Sequence, residues 1–138
     1  MSDPEKELGK AGEERAALYL KRQCGYRILQ RNYRTRLGEI DIIARDCDTI
    51  VFVEVKTRRS LCYGYPAEAV AQHKQFKLKI TAQSYMARYR LWDVPCRFDV
   101  IEVMPGPGGE LRLHHIRHAF WQVYMERRRW DSWATLLP

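Results

Sequence analysis

The chain lacks several features that would place it in common protein classes. No stretch approaches the roughly 20 consecutive apolar residues of a membrane span, and the acidic, polar start is not a signal peptide. The four cysteines show no CxxC spacing, so we predict neither a structural zinc site nor a disulfide framework. Internal repeats and domain linkers are also absent. These absences predict a cytoplasmic protein with reduced thiols.

Length and charge narrow the class further. A chain of 138 residues is one domain by size. Its formal net charge is +7, and because residues 1–14 carry five acidic residues against two lysines, the remainder carries +10. A basic body indicates a polyanionic partner, with nucleic acid first and an anionic membrane surface second. A basic protein that has no such partner remains the alternative.

Two β-branched and aromatic runs, residues 40–44 and 50–57, flank the turn-forming residues 46–49 and predict an antiparallel hairpin. A loop of those four residues would pair Arg45 with Ile50. Counting outward, Asp41 then faces Glu54, and Glu39 faces Lys56. Cross-strand partners have Cβ atoms about 5 Å apart.

Two carboxylates at that separation repel each other, and a divalent cation such as Mg²⁺ would relieve the repulsion through oxygen ligands. The alternative is a surface ion pair between Glu39 and Lys56 that contributes little to stability. We disfavour it because residues 50–55 are apolar on both faces except Glu54. That pattern predicts a central strand whose end alone opens into a polar site.

The first helix is predicted over residues 4–23, with proline near its start and Gly25 just past its end. Helical spacing sets Glu13 on one stripe with Ala16 and Leu20, so Glu13 should face the sheet. A carboxylate on such a stripe is unusual unless it is paired. The alternative is that Glu13 lies on a frayed rim and contacts only water.

The second helix is predicted to start near Pro66 and to end near Arg90. Its buried stripe is predicted to contain Phe76, Ile80, Gln83 and Ala87, beside a cationic face that includes Lys74 and Lys77. Residues 97–103 and 111–116 follow as strands, the second at a sheet edge, with a Pro/Gly loop between them. A histidine metal site at 114–118 is disfavoured because neighbouring strand residues point to opposite faces.

Seven sequence segments together carry a resemblance to a known family. They are, in chain order, Gly12-Glu13, Tyr26-Arg27-Ile28-Leu29, Gly38-Glu39-Ile40-Asp41, Val51-Phe52-Val53-Glu54-Val55-Lys56-Thr57-Arg58, Glu68-Ala69-Val70, Lys74 and Phe98-Asp99-Val100. This ordered set resembles the YraN-like bacterial proteins, uncharacterised protein family 0102, over about residues 8 to 120. Asp41 with Glu54-Val55-Lys56 is similar to the D…ExK signature of the PD-(D/E)xK nuclease superfamily, which includes restriction endonucleases and Holliday-junction resolvases. The chain departs from the resemblance at Cys47, where such a turn favours glycine, and in the tail beyond Phe120.

The resemblance implies an α/β fold of the restriction-endonuclease type, a mixed β-sheet flanked by helices. The residues predict the order αβββαββ, and the helical spacing of Phe120 and Tyr124 predicts a helical C-terminal tail. The resemblance also implies a nuclease-like domain over residues 1–120. The aromatic and basic tail, residues 121–138, should pack on the same domain. We expect a monomer or a weak homodimer.

The implied activity is that of a metal-dependent nuclease, acting on structured or branched DNA in preference to RNA. Asp41, Glu54 and the backbone carbonyl of Val55 would hold Mg²⁺ or Mn²⁺. Lys56 would orient or deprotonate the attacking water, and Glu39 and Glu13 would assist.

The resemblance implies nucleic-acid contacts from Gln72 and Lys74 on the second helix, and Lys77 lies on the same cationic face. Arg58 and Arg59, in the loop before this helix, are further candidates because guanidinium groups fork onto phosphates. An exposed, solvated helix face and an ordinary loop are the alternatives. At the level of the whole protein, the alternatives are a non-catalytic nucleic-acid-binding module and a basic adaptor whose aromatic tail docks a partner or a membrane surface.

The basic body predicts that nucleic-acid affinity falls steeply with salt. If about four to six phosphates are contacted, log K should fall against log salt with a slope of roughly −3 to −5, because each neutralised phosphate releases counterions. Fluorescence anisotropy with a labelled DNA duplex in EDTA at several salt concentrations measures the slope. A flat dependence would show that the positive charge is not the binding surface.

Overall fold

The computed structural model describes residues 3–58 and 72–120. Its elements are α1 (Pro4–Arg22), β1 (Arg27–Thr35), β2 (Gly38–Asp46), β3 (Thr49–Thr57), α2 (Gln72–Arg88), β4 (Cys96–Pro105) and β5 (Leu111–Ile116). This order confirms the predicted αβββαββ arrangement. The predictions for Arg59, for the start of the second helix at residues 66–71 and for the tail at 121–138 lie outside the described residues.

The five strands form one sheet in the order β1-β2-β3-β4-β5. Strands β3 and β4 run parallel, and the other neighbouring pairs are antiparallel. The mixed sheet with its two helices is consistent with a restriction-endonuclease-like α/β fold, as the sequence predicts. Neither helix in the described residues is long and apolar enough to cross a membrane.

The sheet separates two apolar clusters, one under each helix. On the α1 side, Ala16 and Leu20 pack with Val53, Val55 and Ile101, among others. On the α2 side, the cluster consists mainly of aromatic and branched residues: Leu78, Ala82, Tyr85 and Met86 from the helix, with Phe52, Phe98 and Val100 from the sheet. Strand β3 is therefore covered on both faces, which confirms that it is the central, doubly buried strand.

The predicted buried stripe of α2 is partly wrong. Phe76 is 59% exposed, whereas Ile80 and Gln83 are buried as predicted. The helix turns Leu78, Ala82 and Tyr85 toward the sheet, which are spaced i, i+4 and i+7. This stripe is as apolar as the one that contains Phe76, so the spacing alone did not distinguish the two rotations of the helix.

The hairpin between β2 and β3 has the predicted register but a shorter loop. Arg45 pairs with Ile50 as predicted, and one further pair, Asp46 with Thr49, leaves only Cys47 and Asp48 in the turn. Cys47 takes a positive φ of 51°, the conformation that glycine adopts most easily. The turn therefore requires a positive φ at position 47, which cysteine adopts less easily than glycine.

A buried polar network on the α1 side fixes the position of β4. The Arg97 guanidinium donates to Tyr26 Oη at 2.7 Å, Asp46 Oδ2 at 2.8 Å and Asp99 Oδ1 at 3.1 Å. Asp99 Oδ2 lies 2.7 Å from His115 Nε2. Burial alone would raise the pKa of Asp99, but the hydrogen bonds from His115 and Arg97 outweigh it and lower the pKa. His115 thus has a structural role in joining β5 to β4.

Gly12 sets the distance between α1 and the sheet. It is buried in the helix, and a Cβ at this position would collide with the Thr57 Oγ1 at the end of β3. Gly9, one turn earlier, has no atom within 4 Å of its would-be Cβ. The close approach at Gly12 places the next residue, Glu13, at the end of the sheet where β3 terminates.

We expect Gly12→Ala to lower the melting temperature and Gly9→Ala to raise it. Alanine stabilises a helix interior by roughly 0.5–1 kcal/mol over glycine, so Gly9→Ala reports that gain alone. At position 12 the collision should outweigh the gain. Thr57→Ala removes the colliding oxygen, so thermal unfolding should show Gly12→Ala to be stabilising in that background. Equal effects of Gly12→Ala in both backgrounds would contradict the close contact.

Candidate active site

Strands β2 and β3 separate where the acidic residues begin. Their recorded pairing runs from Asp46–Thr49 to Ile42–Val53. At the next position the Val55 N–H donates to the Asp41 side chain, with 2.8 Å between the nitrogen and Oδ2. A carboxylate thus replaces a backbone acceptor at the point of separation, and Asp41 is held beside Glu54.

A backbone irregularity in β1 accompanies the separation. Between the pairs Arg31–Ile42 and Tyr33–Ile40, Asn32 takes a positive φ of 53°. On β2, the strand that pairs with β1 here, the alternation of side chains is interrupted. Ile40 and Ile43 lie in the same apolar cluster, although an uninterrupted strand would point them to opposite faces. Asparagine tolerates this conformation better than most residues. The side chains of β2 before and after Asp41 therefore follow different alternations.

A cavity of about 150 Å³ lies where β2 and β3 separate, beside α2, and we term it the acidic cleft. Its lining residues are Gly38, Glu39, Asp41, Glu54, Lys74, Lys77 and Leu78. Gly38 is needed for the approach of the helix, since a Cβ there would lie 2.7 Å from the Thr81 Oγ1. Two elements far apart in the sequence thus bring carboxylates and lysines to one small volume.

The two central carboxylates are in different electrostatic states. Glu54 is only 5% exposed, and its Oε1 lies 2.6 Å from the Lys74 Nζ. Burial and the charge of Glu54 raise the pKa of Asp41 to about 7, although the Val55 N–H and Lys74 act in the opposite direction. The negative charge of the cleft is therefore only partly compensated by the protein itself.

The two lysines next to these carboxylates also differ. Burial and the neighbouring charge of Lys74 lower the pKa of Lys56, and Glu54 opposes this only in part. Burial would lower the pKa of Lys74 too, but its hydrogen bond to Glu54 and the charge of Glu54 raise it overall. Lys74 is thus held as an ammonium ion, whereas Lys56 gives up its proton more easily than an ordinary lysine.

Glu13 approaches the same centre from α1, on the other side of the sheet. It is half-buried, and burial raises its pKa, with Arg31 opposing and Glu39 and Glu54 adding to the rise. Glu13 also raises the pKa of Asp41. The acidic residues of α1, β2 and β3 therefore share one electrostatic environment.

Glu39 lies at the outer edge of the cleft. Its Oε1 is 3.1 Å from the Arg34 Nε of β1, and the Glu39 side chain is 41% exposed. The sequence offered an ion pair between Glu39 and Lys56 as an alternative. In the structure Glu39 pairs instead with Arg34, its cross-strand neighbour on β1.

The candidate nucleic-acid residues lie in different surroundings. Gln72 and Lys77 are exposed on α2, whereas Lys74 is paired with Glu54. The Arg58 Nε lies 3.1 Å from the Glu102 Oε1, and the Arg58 side chain is only 15% exposed. Arg58 is therefore directed into the protein instead of outward to solvent.

Sequence reasoning missed two features of this region. Glu102 of β4 is 1% exposed, pairs in register with Lys56 and forms its ion pair with Arg58. The available signal was a charged residue between the apolar residues Ile101 and Val103. The pairing of Lys74 with Glu54 had no local signal, because it depends on how α2 packs on the sheet.

The residues of the cleft fit a hard divalent cation. Asp41 and Glu54 are oxygen donors. Burial, followed by the charge of Glu54, raises the pKa of Asp41, and a bound cation would favour its charged form. Among residues 3–58 and 72–120 no group of three or more His, Cys, Asp or Glu side chains forms a metal cluster, so the donors at hand are these two carboxylates and backbone or water oxygens.

Comparisons with known proteins identify relatives of this chain at the level of sequence. The model of the uncharacterised protein family UPF0102 matches residues 12–103. UPF0102 protein STH1475 of Symbiobacterium thermophilum is 54% identical over 113 residues, covering 82% of this chain and 95% of the relative. A UPF0102 protein of Caldicellulosiruptor saccharolyticus is 50% identical over 116 residues, covering 83% and 98%. The crystal structure of SSO0001 aligns at 19% identity with a TM-score of 0.43, covering 98% of this chain and 62% of that one.

The state of Asp41 predicts a pH dependence of stability in EDTA. Its pKa is raised from 3.8 to about 7 on folding, so the folded protein holds a proton that the unfolded chain has lost. Stability should therefore fall as the pH rises from about 4 to 7. Asp41→Asn should remove most of this fall and be more stable than wild type at pH 8, by roughly 2–4 kcal/mol at about 1.4 kcal/mol per pKa unit.

Urea unfolding at pH 5 and pH 8 measures the effect. Asp48→Asn, at the exposed hairpin turn, is the matched control and should keep the wild-type pH dependence. The same pH dependence in wild type and Asp41→Asn would contradict the raised pKa.

Proposed function

This chain belongs to the uncharacterised protein family UPF0102, within the PD-(D/E)xK nuclease superfamily, and we propose that it is a metal-dependent nuclease that hydrolyses phosphodiester bonds in nucleic acid. The observation that carries the proposal is the meeting of Asp41, Glu54 and Lys56 at the separation of β2 from β3. Two carboxylates and a lysine with a lowered pKa form the set that this hydrolysis requires. We propose structured or branched DNA as the substrate, in line with the superfamily.

Asp41 and Glu54 would hold Mg²⁺ or Mn²⁺, together with the carbonyl of Val55. The cation would supply Lewis acidity at the scissile phosphate and make a nearby water more acidic. The Val55 N–H fixes one oxygen of Asp41 and leaves the other directed to the cleft. Burial of Glu54 at 5% exposure keeps water from competing with its charge.

Lys56 is the proposed proton acceptor or water-orienting group. Its lowered pKa increases the neutral fraction that can take a proton, and in its charged form it offsets the phosphate charge. Glu13 and Glu39 would act around the ligands, by orienting water or by contributing to a second cation site. Lys77 lines the cleft, Gln72 is exposed at the start of α2, and both would contact the nucleic-acid backbone.

A specific observation favours the alternative of a non-catalytic nucleic-acid-binding module. The Lys74–Glu54 ion pair already compensates the buried carboxylate without a cation. In that function the acidic residues would organise the fold only. The two functions differ in what they require of Lys56, since a purely structural acidic cluster has no need of a proton acceptor.

We expect Lys56→Ala to bind nucleic acid as wild type does and to lose cleavage by roughly 10²–10⁴-fold, the usual contribution of general acid–base catalysis. Single-stranded, duplex, flapped and four-way DNA, and RNA, should be offered with Mg²⁺, Mn²⁺ or EDTA. Glu54→Gln should abolish the same cleavage. Gel assays measure cleavage, and anisotropy in EDTA measures binding.

Lys21→Ala is the matched control, because Lys21 is exposed in the last turn of α1 and lies outside the cleft. It should cleave at the wild-type rate. Cleavage that survives in Lys56→Ala would remove the lysine from the mechanism. Binding without cleavage of any substrate by the wild type would favour the non-catalytic module.

A further inference from the structure

We propose that Lys74 stands in for the cation on Glu54 in the metal-free protein, and that metal binding displaces its ammonium group toward a phosphate of the nucleic acid. This inference rests on the proposed function. It adds a role that joins metal binding to substrate binding through one side chain. The observation behind it is the ion pair between Lys74 Nζ and Glu54 Oε1, at 2.6 Å.

The geometry makes the two positive groups competitors. The Glu54 side chain is 6% exposed and lines the acidic cleft, where the Lys74 ammonium group already occupies one of its oxygens. A cation held by a carboxylate lies about 2.1 Å from the oxygen, closer than the ammonium nitrogen does now. The two positive charges would then repel each other inside a poorly solvated cleft, where the interaction is strong. The cation and the ammonium group therefore exclude each other at this oxygen.

Charge balance favours the exchange. In the described residues the ion pair of Lys74 is with Glu54 alone, whereas a divalent cation between Asp41 and Glu54 would compensate both. The Lys74 side chain can leave without unfolding the protein, because it is 40% exposed and belongs to the first turn of α2. Once released, it lies at the cleft mouth beside Lys77, where an approaching phosphate needs a counter-charge.

The exchange predicts reciprocal coupling. If the cation frees Lys74 for the phosphate, the phosphate must hold Lys74 away from Glu54 and so strengthen metal binding by the same factor. Lys77 supplies a matched comparison. It carries the same charge on the same helix and lines the same cleft, but in the described part of the chain no carboxylate is paired with it.

Calorimetry with Mn²⁺ on wild type, Lys74→Met and Lys77→Met tests the competition. Lys74→Met should bind Mn²⁺ at least about tenfold more tightly than wild type, within the usual range of couplings between sites. Lys77→Met removes the same charge and should change affinity by less than about threefold. Lys74→Gln serves as the second variant if the methionine protein is unstable without metal.

Chemical labelling supplies a readout that does not depend on catalysis. Acetylation by acetic anhydride, quantified by mass spectrometry, should be faster at Lys74 in Mg²⁺ than in EDTA, because the ammonium group leaves its ion pair. Labelling of Lys77 should be unaffected. Equal or slower labelling of Lys74 in Mg²⁺ would overturn the inference.

The calorimetric outcomes separate this inference from the proposed nuclease activity. If wild type binds Mn²⁺ and Lys74→Met binds it no more tightly, the inference is overturned and the nuclease proposal stands. If Lys74→Met binds Mn²⁺ and wild type does not, the inference is supported, because the lysine then blocks the site. Absence of binding in all three proteins would contradict both proposals.

Discussion

A carboxylate buried in a doubly covered strand is the constraint on which this structure depends. Glu54 sits in β3 between two apolar clusters, where an uncompensated charge would cost several kcal/mol. Moving the strand outward would expose the apolar residues on both of its faces. A positive charge therefore has to be brought to Glu54. The neighbouring strand separates to leave a cleft, and α2 brings a lysine to the carboxylate. The cleft is thus the consequence of one buried charge.

The separation of β2 from β3 also explains how both helices reach one centre. A continuous sheet would keep the α1 and α2 sides apart, yet Glu13 and Lys74 both act on the pKa of Asp41. Where β2 and β3 diverge, paired strands no longer separate the α1 side of the sheet from the α2 side. Gly12 then permits α1 to lie close enough for Glu13 to contribute. The irregularity at Asn32 thus has an effect at a site that it does not line.

The parts of this architecture that depend on local sequence were predictable. The element order and the Arg45–Ile50 register follow from β-branched runs and turn formers, and the motif order indicated the family. The loop length was wrong because Asp46 and Thr49 are turn formers that here also pair. The rotation of α2, the positive φ of Asn32 and the partner of Lys74 depend on packing between elements distant in the sequence. A single sequence contains no local signal for those distances.

The network around Arg97 bears on the order in which the chain assembles. Its partners come from the segment after α1, from the hairpin end and from β4 itself, while His115 arrives from β5. During synthesis, Arg97 can find Tyr26 and Asp46 before β5 exists, but Asp99 then still lacks His115. An emerging chain that stops before residue 115 therefore lacks both His115 and the His118 backbone N–H as partners of this buried carboxylate. Residues 115 and 118 have to leave the ribosome before Asp99 has all the hydrogen bonds that the structure gives it.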